Sequence, residues 1–89
     1  MKVFLFCGPH CPGCAKAKGN LKTLEVKYEE QDVSNGGGKL AEHYGIKGIP
    51  NIVAQKTGKD HEDEWIRVDA SLSLPKLRLK LLEAEILKP

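Results

Sequence analysis

The chain has 89 residues, 40% hydrophobic and 29% charged, with a net charge of +2. That fits one small domain with a modest core, and the charge is too small to argue for a nucleic-acid partner; Lys16, Lys18, Lys22 and Lys27 read as a solvated helix face. The longest apolar run near the N-terminus, Val3 to Phe6, falls short of a membrane span or of a signal-peptide core of roughly 7 residues, so a cytoplasmic protein without membrane contact is expected.

Residues 2 to 6 carry β-branched and aromatic side chains without alternation. That suits a central strand covered on both faces. Gly8-Pro9 breaks the strand. Pro12 fits the first turn of a helix, along which Cys14, Ala17, Leu21 and Leu24 share one face. Gly19 weakens that helix by about 1 kcal/mol relative to alanine. Val26 to Val33, rich in charge, predicts a second strand at a sheet edge. Asn35-Gly36-Gly37-Gly38 reads as a flexible connector, and Lys39 to Tyr44 as a short helix ended by Gly45. The first crossover is long enough to join parallel strands.

Asn51 to Gln55 predicts a third strand, Thr57-Gly58-Lys59-Asp60 a hairpin turn, and Glu64 to Val68 an antiparallel fourth strand. A last helix is expected from a Ser73 cap, with Pro75 in its first turn, to about Leu87. It has two apolar sides. Leu74, Leu77, Leu81 and Ala84 should face the sheet; Leu79, Leu82 and Ile86 are either further core or a partner surface. No repeat or linker divides residues 1–89, so a single domain is expected.

All three cysteines lie between positions 7 and 14. None can staple distant parts of the chain, which argues for chemistry at one place and against a secreted disulfide scaffold. In Cys11-Pro12-Gly13-Cys14 the spacing lets two sulfurs close a small ring or remain a dithiol. A helix start supplies unpaired N–H groups and the positive end of the helix dipole. Both favour a thiolate at Cys11, and the thiolate is the nucleophile of disulfide exchange. A Cys-x-x-Cys on a strand-to-helix junction therefore reads as a redox dithiol. Cys7 reads as a small buried hydrophobe, with a regulatory disulfide or a metal ligand as alternatives.

A reading from another class gives Cys7, Cys11 and Cys14, with His10, His43 or His61, to a zinc or iron–sulfur binding module. It lacks a second paired knuckle. The same three cysteines have the spacing of radical-SAM enzymes, but those are built on a much larger barrel; a full barrel takes about 250 residues.

Phe6-Cys7-Gly8-Pro9-His10-Cys11-Pro12-Gly13-Cys14 resembles the strand, loop, Cys-x-x-Cys and helix of small thioredoxins and glutaredoxins. Tyr44-Gly45-Ile46-Lys47-Gly48-Ile49-Pro50 is similar to the segment thioredoxins use before their cis-proline. Val68 to Leu87 has the pattern of their last strand and helix, so the resemblance covers nearly the whole chain. It implies the thioredoxin fold, an α/β structure with a four-stranded mixed sheet and helices on both faces in the order βαβαββα. It implies a thiol–disulfide oxidoreductase that reduces protein or small-molecule disulfides through Cys11 and Cys14, in cell redox homeostasis and electron transport.

On that likeness Cys11 is the nucleophile, Cys14 the resolving thiol and Pro50 the cis-proline. Ile49 offers its backbone to a substrate peptide as a strand edge does, with Pro12 and Gly13 as further substrate-binding positions. His10, when protonated, would lower the Cys11 pKa by charge attraction. No cofactor beyond the redox-active disulfide is implied. The partners are disulfide-containing proteins and an electron donor, a reductase or glutathione, and a monomer is expected.

The departures are specific. Full-length thioredoxins carry an extra strand and helix ahead of the catalytic strand. His10 stands where thioredoxins have tryptophan. Leu5 stands where they place a buried acid for proton transfer from the resolving thiol, so that step needs another base or solvent. Val68-Asp69-Ala70-Ser71 replaces the glycine pair with which glutaredoxins grip glutathione, which leaves glutathione dependence open. The Pro-Gly pair between the cysteines is neither family's commonest.

Overall fold

The computed structural model describes residues 2–55 and 64–87. Its architecture follows from β1 (Lys2–Cys7). Alternate side chains of a strand point to opposite faces. Leu5 and Cys7 enter one apolar cluster, with Val3 packed against it; Phe4 and Phe6 enter the other. Because both faces are covered, no polar alternation appears in this stretch.

The remaining elements are α1 (Pro12–Thr23), β2 (Glu29–Asp32), α2 (Gly38–His43), β3 (Asn51–Gln55), β4 (Trp65–Asp69) and α3 (Leu74–Glu83). The sheet order is β2-β1-β3-β4. β1 runs parallel to β2, with Cys7 opposite Asp32. It runs antiparallel to β3, with Phe6 opposite Asn51. β3 and β4 are antiparallel, with Asn51 opposite Asp69. This is the mixed four-stranded α/β sheet expected, in the order βαβαββα, with the charged β2 at an edge. The Thr57 to Asp60 turn lies outside the described residues.

On one face, α1 and α3 bring Cys14, Ala17, Leu21, Leu77 and Leu81 against Leu5, Cys7, Ile52 and Val68. On the other, α2 and the residue after it bring Ala41 and Tyr44 against Phe4, Phe6 and Val53. Tyr44 sits 6.2 Å from the Phe4 ring and 5.0 Å from that of Trp65, and its hydroxyl donates to Gln55 Oε1 at 2.5 Å. Burial raises the Tyr44 pKa.

Two elements are markedly shorter than the sequence reading. β2 is shorter than Val26 to Val33, because the end of α1 uses the residues before it. Glu25 adopts a left-handed conformation (φ 58°), and the Val26 N–H bonds the Leu21 carbonyl at 3.0 Å. The same device ends α3 at Glu83, short of Leu87: Glu85 has φ 61°, and the Ile86 N–H bonds the Leu81 carbonyl at 3.0 Å. The fold-back packs Ile86 on the core and leaves Leu79 58% exposed, so the second apolar side of α3 is divided between core and surface. Ser73 occupies the cap position of α3, but its hydroxyl makes no capping bond.

The expected flexible connector is instead a tight turn. The Gly37 N–H bonds the Asp32 carbonyl at 2.7 Å. A Cβ at Gly37 would stand 2.6 Å from that carbonyl oxygen, so the close backbone approach requires glycine.

Candidate functional site

The end of β1 and the start of α1 bring the three cysteines together. Cys11 caps α1 in an extended conformation (φ −106°, ψ 99°), and Pro12 occupies its first turn. The Cys11 carbonyl accepts the Cys14 N–H at 3.1 Å. Cys11 is half-buried, Pro12 is exposed and Cys14 is buried.

The Cys11 thiol is held above its ordinary pKa. The largest cause is a hydrogen bond shared with the Cys14 thiol, followed by burial; backbone N–H groups of Cys14 and Gly13 pull the other way. The helix start thus exerts the expected pull, but it does not win in the dithiol.

Pro50 forms the second wall. The Ile49–Pro50 peptide is cis, as the family likeness implied, and Pro50 is buried. A Cβ on Gly13 would lie 3.2 Å from Pro50 Cδ and 3.6 Å from Cγ. The missing side chain is what lets the proline ring pack on the Cys-x-x-Cys turn. Ile49 remains 36% exposed. Beside it, on the α2 side, a groove of about 400 Å³ is lined by Val33, Ala41, Glu42, Ile46, Lys47 and Ile49 among others. His10 is exposed and left-handed, with φ 60°, where the chain turns from β1 into α1.

Cys11, Gly13, Cys14 and Pro50 are therefore assembled in one place, with Pro12 and Ile49 beside them and His10 on the approach loop. The sequence reading missed the connection of Cys7 to this group. Cys7 is buried among core residues, as its hydrophobe reading implied. Its pKa is pushed up to about 12, first by burial and then by a hydrogen bond to Cys14 and the charge of that sulfur. The available signal was strand parity: Cys7 lies two residues beyond Leu5, so both face α1. Near Cys7, Lys18 and Glu30 form an ion pair at 2.5 Å, which raises the Lys18 pKa. Leu5, at the place of the thioredoxin acid, is wholly buried.

The metal-module alternative is not supported by this geometry. Among the described residues no group of three or more His, Cys, Asp or Glu side chains could hold a metal ion. Cys7 and Cys14 are committed to the apolar core, His10 is exposed, and His43 packs edge-on against Tyr44 at 4.9 Å. His61 lies outside the described residues.

The glutaredoxin family model matches residues 3–58 of the chain. Among solved structures, the thioredoxin-like protein BC3987 is 28% identical over 88% of this chain and 97% of its own, with a TM-score of 0.63. A thioredoxin variant from Halobacterium salinarum NRC-1 is 21% identical over 98% of this chain and 76% of its own, with a TM-score of 0.71. A thioredoxin from Thermus thermophilus is 23% identical, covering 92% and 71%, with a TM-score of 0.63. The last two likenesses bear on the fold alone. No curated protein matches the chain significantly. No helix among the described residues is long and apolar enough to cross a membrane.

Proposed function

The chain belongs to the glutaredoxin family, whose model spans both the Cys11–Cys14 turn and Pro50, and on that premise we propose that it is a thiol–disulfide oxidoreductase reducing protein disulfides through these two cysteines. The observation that carries the reading is the assembly of a half-buried Cys11 at the cap of α1, a buried Cys14 whose N–H bonds the Cys11 carbonyl, and Pro50 packed on Gly13.

The Cys11 thiolate attacks one sulfur of the substrate disulfide. A Cys11–substrate bond forms, and the other substrate sulfur leaves with the electron pair and takes a proton from water. Cys14, after losing its proton to solvent, attacks Cys11. The second substrate thiolate leaves and the Cys11–Cys14 disulfide remains. Two electrons have passed to the substrate; a reductase or glutathione returns them.

An extended peptide suits the site better than a compact small molecule. The Ile49 side chain is partly exposed beside an open groove, which supports a reading in which the backbone before Pro50 pairs with an extended peptide as a strand edge does. His10 favours the Cys11 thiolate when protonated. A cytoplasmic monomer fits the composition.

The test is the equilibrium potential of the Cys11/Cys14 pair, measured by thiol trapping across a graded dithiothreitol buffer. A value between about −270 and −120 mV is expected. Cys11→Ser should abolish reduction of a disulfide-linked peptide, and Cys14→Ser should trap it as a mixed disulfide. Failure of Cys11 and Cys14 to form a disulfide anywhere in that range refutes the reading.

A further inference from the structure

We propose that Gly8 is a positioning residue for peptide recognition: the space left by its missing side chain is the notch that seats the end of the Ile49 side chain, and this seat sets how Ile49 meets an extended substrate. The proposal rests on the dithiol reading above, in which the backbone before Pro50 pairs with the peptide.

The backbone at Gly8 does not itself demand glycine. Among the described residues the glycines with positive φ are Gly36 and Gly45, so an L side chain suits the Gly8 conformation. What excludes a side chain is a neighbour. A Cβ at Gly8 would stand 2.9 Å from Ile49 Cδ1 and 3.5 Å from Val33 Cγ2, against an ordinary carbon–carbon contact of about 3.5–4.0 Å. The Val33 distance is tolerable; the Ile49 distance is not. The Ile49 methyl thus occupies the place that a side chain at Gly8 would take.

The segment touches the catalytic loop a second time. A Cβ at Gly13 would lie 3.2 Å from Pro50 Cδ. Two consecutive residues, Ile49 and Pro50, therefore rest on two glycines, and Cys11 lies between those glycines in the chain. Gly13 seats the proline ring, and Gly8 seats the side chain of the residue offered to substrate. Val33 forms the other side of the notch and is fixed there, because its N–H bonds the Cys7 carbonyl at 2.8 Å. Val33 and Ile49 both line the groove of about 400 Å³, and Ile49 is 36% exposed.

A methyl at Gly8 must push Ile49 Cδ1 away by about 0.6 Å or more. Cδ1 is the free end of a side chain, so it turns while the sheet stays in place, and the fold should survive. It turns away from the loop between β1 and α1, into the space of the groove and solvent. There it meets a peptide paired beside Pro50. The loss therefore falls on peptide binding more than on attack by Cys11. The reciprocal change should also weaken binding: Ile49→Val removes Cδ1 alone, which empties the notch and unseats the side chain. Made together, the two substitutions put a methyl at position 8 into the space that Cδ1 has left. Their defects should cancel rather than add.

The experiment follows single turnovers of the reduced protein with two probes that release the same coloured thiolate. One is a short extended peptide of valine and threonine around a single cysteine, joined by a disulfide to thionitrobenzoate. The other is dithionitrobenzoate, which carries no peptide. The readout is the ratio of the second-order rate constants, peptide over dithionitrobenzoate, with thermal unfolding by circular dichroism as the check on folding. Gly8→Ala should lower the ratio about fivefold, well short of the roughly hundredfold that a 1 Å error at the reacting atoms costs. The loss should lie in the half-saturating peptide concentration and not in the limiting rate. Ile49→Val should lower the ratio as well, and the double variant should return it to within about twofold of the parent, a rescue that a merely structural role would not produce. An unmoved ratio in Gly8→Ala, an equal slowing with both probes, or a double variant that multiplies the two losses overturns the proposal. If Gly8→Ala does not fold, the double variant, which lacks Cδ1, still decides: it should fold with a ratio above that of Ile49→Val alone, and a lower ratio or an unfolded protein overturns the proposal. If Cys11→Ser releases thionitrobenzoate from either probe as fast as the parent, it is the dithiol reading that fails, and the proposal falls with it.

Discussion

Two glycines of α1 should respond differently to the same substitution. A Cβ at Gly19 would meet nothing within 4 Å, and Gly19 lies within the α1 span, Pro12–Thr23. Gly19→Ala should therefore return most of the intrinsic helix penalty, about 1 kcal/mol. For a domain of this size that corresponds to a rise in Tm of about 4–8 °C. At Gly13 a new methyl carbon would stand 3.2 Å from Pro50 Cδ, against an ordinary carbon–carbon contact of about 3.5–4.0 Å. Something must yield by about 0.3 Å. The Pro50 ring has no rotamer to change to and its φ is fixed, so the loop carrying Ile49 must move. The helical gain and the steric loss should nearly cancel, leaving stability within about 0.5 kcal/mol of the parent. Activity should not escape, because positioning errors of about 1 Å cost roughly a hundredfold; a shift a third as large should lower kcat/KM several-fold. Thermal unfolding by circular dichroism and turnover of a disulfide peptide measure both. A Gly13→Ala protein as stabilised as Gly19→Ala and fully active would refute the assignment of the Gly13–Pro50 contact as the constraint on the site.

Glu25→Gly and Glu85→Gly should each stabilise the protein by about 0.5–1 kcal/mol, since both glutamates end helices in the left-handed conformation that glycine adopts without a Cβ penalty; a loss of stability in chemical denaturation would contradict this. Asp69 accepts the Ser71 hydroxyl at 2.6 Å and its N–H at 2.9 Å, and these bonds, hydroxyl first, lower its pKa. A folded pKa below the unfolded value of about 3.9 means that the stabilisation is present above that value and is lost as pH falls through the folded pKa. Asp69→Asn should accordingly flatten the acid limb of the stability profile, and an unchanged limb by urea unfolding would sink the linkage. His10→Asn keeps a residue that tolerates φ 60° and removes the imidazole. It should slow attack by Cys11 on a disulfide substrate; an unchanged rate would remove His10 from the chemistry.

What the sequence made legible was whatever a short-range pattern determines. The unbroken apolar run of β1 announced a strand covered on both faces, because only such a strand needs no polar side. The steps Cys14, Ala17 and Leu21 named the buried face of α1, and these are its buried residues. Gly45 was placed to end α2 and has the positive φ, 66°, that this requires. The ends of α1 and α3 were not legible, because Glu25 and Glu85 carry no composition signal for a left-handed turn; the backbone bonds that close those turns decide them. Gly36-Gly37-Gly38 read as flexible because glycine permits both freedom and close approach, and only the position of the Asp32 carbonyl separates the two. At the site, the cysteine pair and Pro50 could be aligned from motifs. The contact between Cys7 and Cys14 needed the third dimension, since they come from different elements on one face of the sheet.

That contact bears on the departure at Leu5. A buried carboxylate beside a resolving thiol can take its proton, but it also adds a charge to an apolar interior, where an unpaired charge is costly. Here Leu5 fills that place, and among the described residues no polar or charged residue is buried. The interior side of the site is hydrocarbon and sulfur. In such a setting proton acceptance falls to solvent on the Cys11 side, where the chain is half-exposed, and only neutral donors are tolerated on the core side. A thiol meets that condition: it packs as a small hydrophobe, keeps its proton when buried, and still offers a weak S–H bond. The leucine and the third cysteine thus belong to one arrangement, an uncharged lining of hydrocarbon and sulfur on the core side of the dithiol.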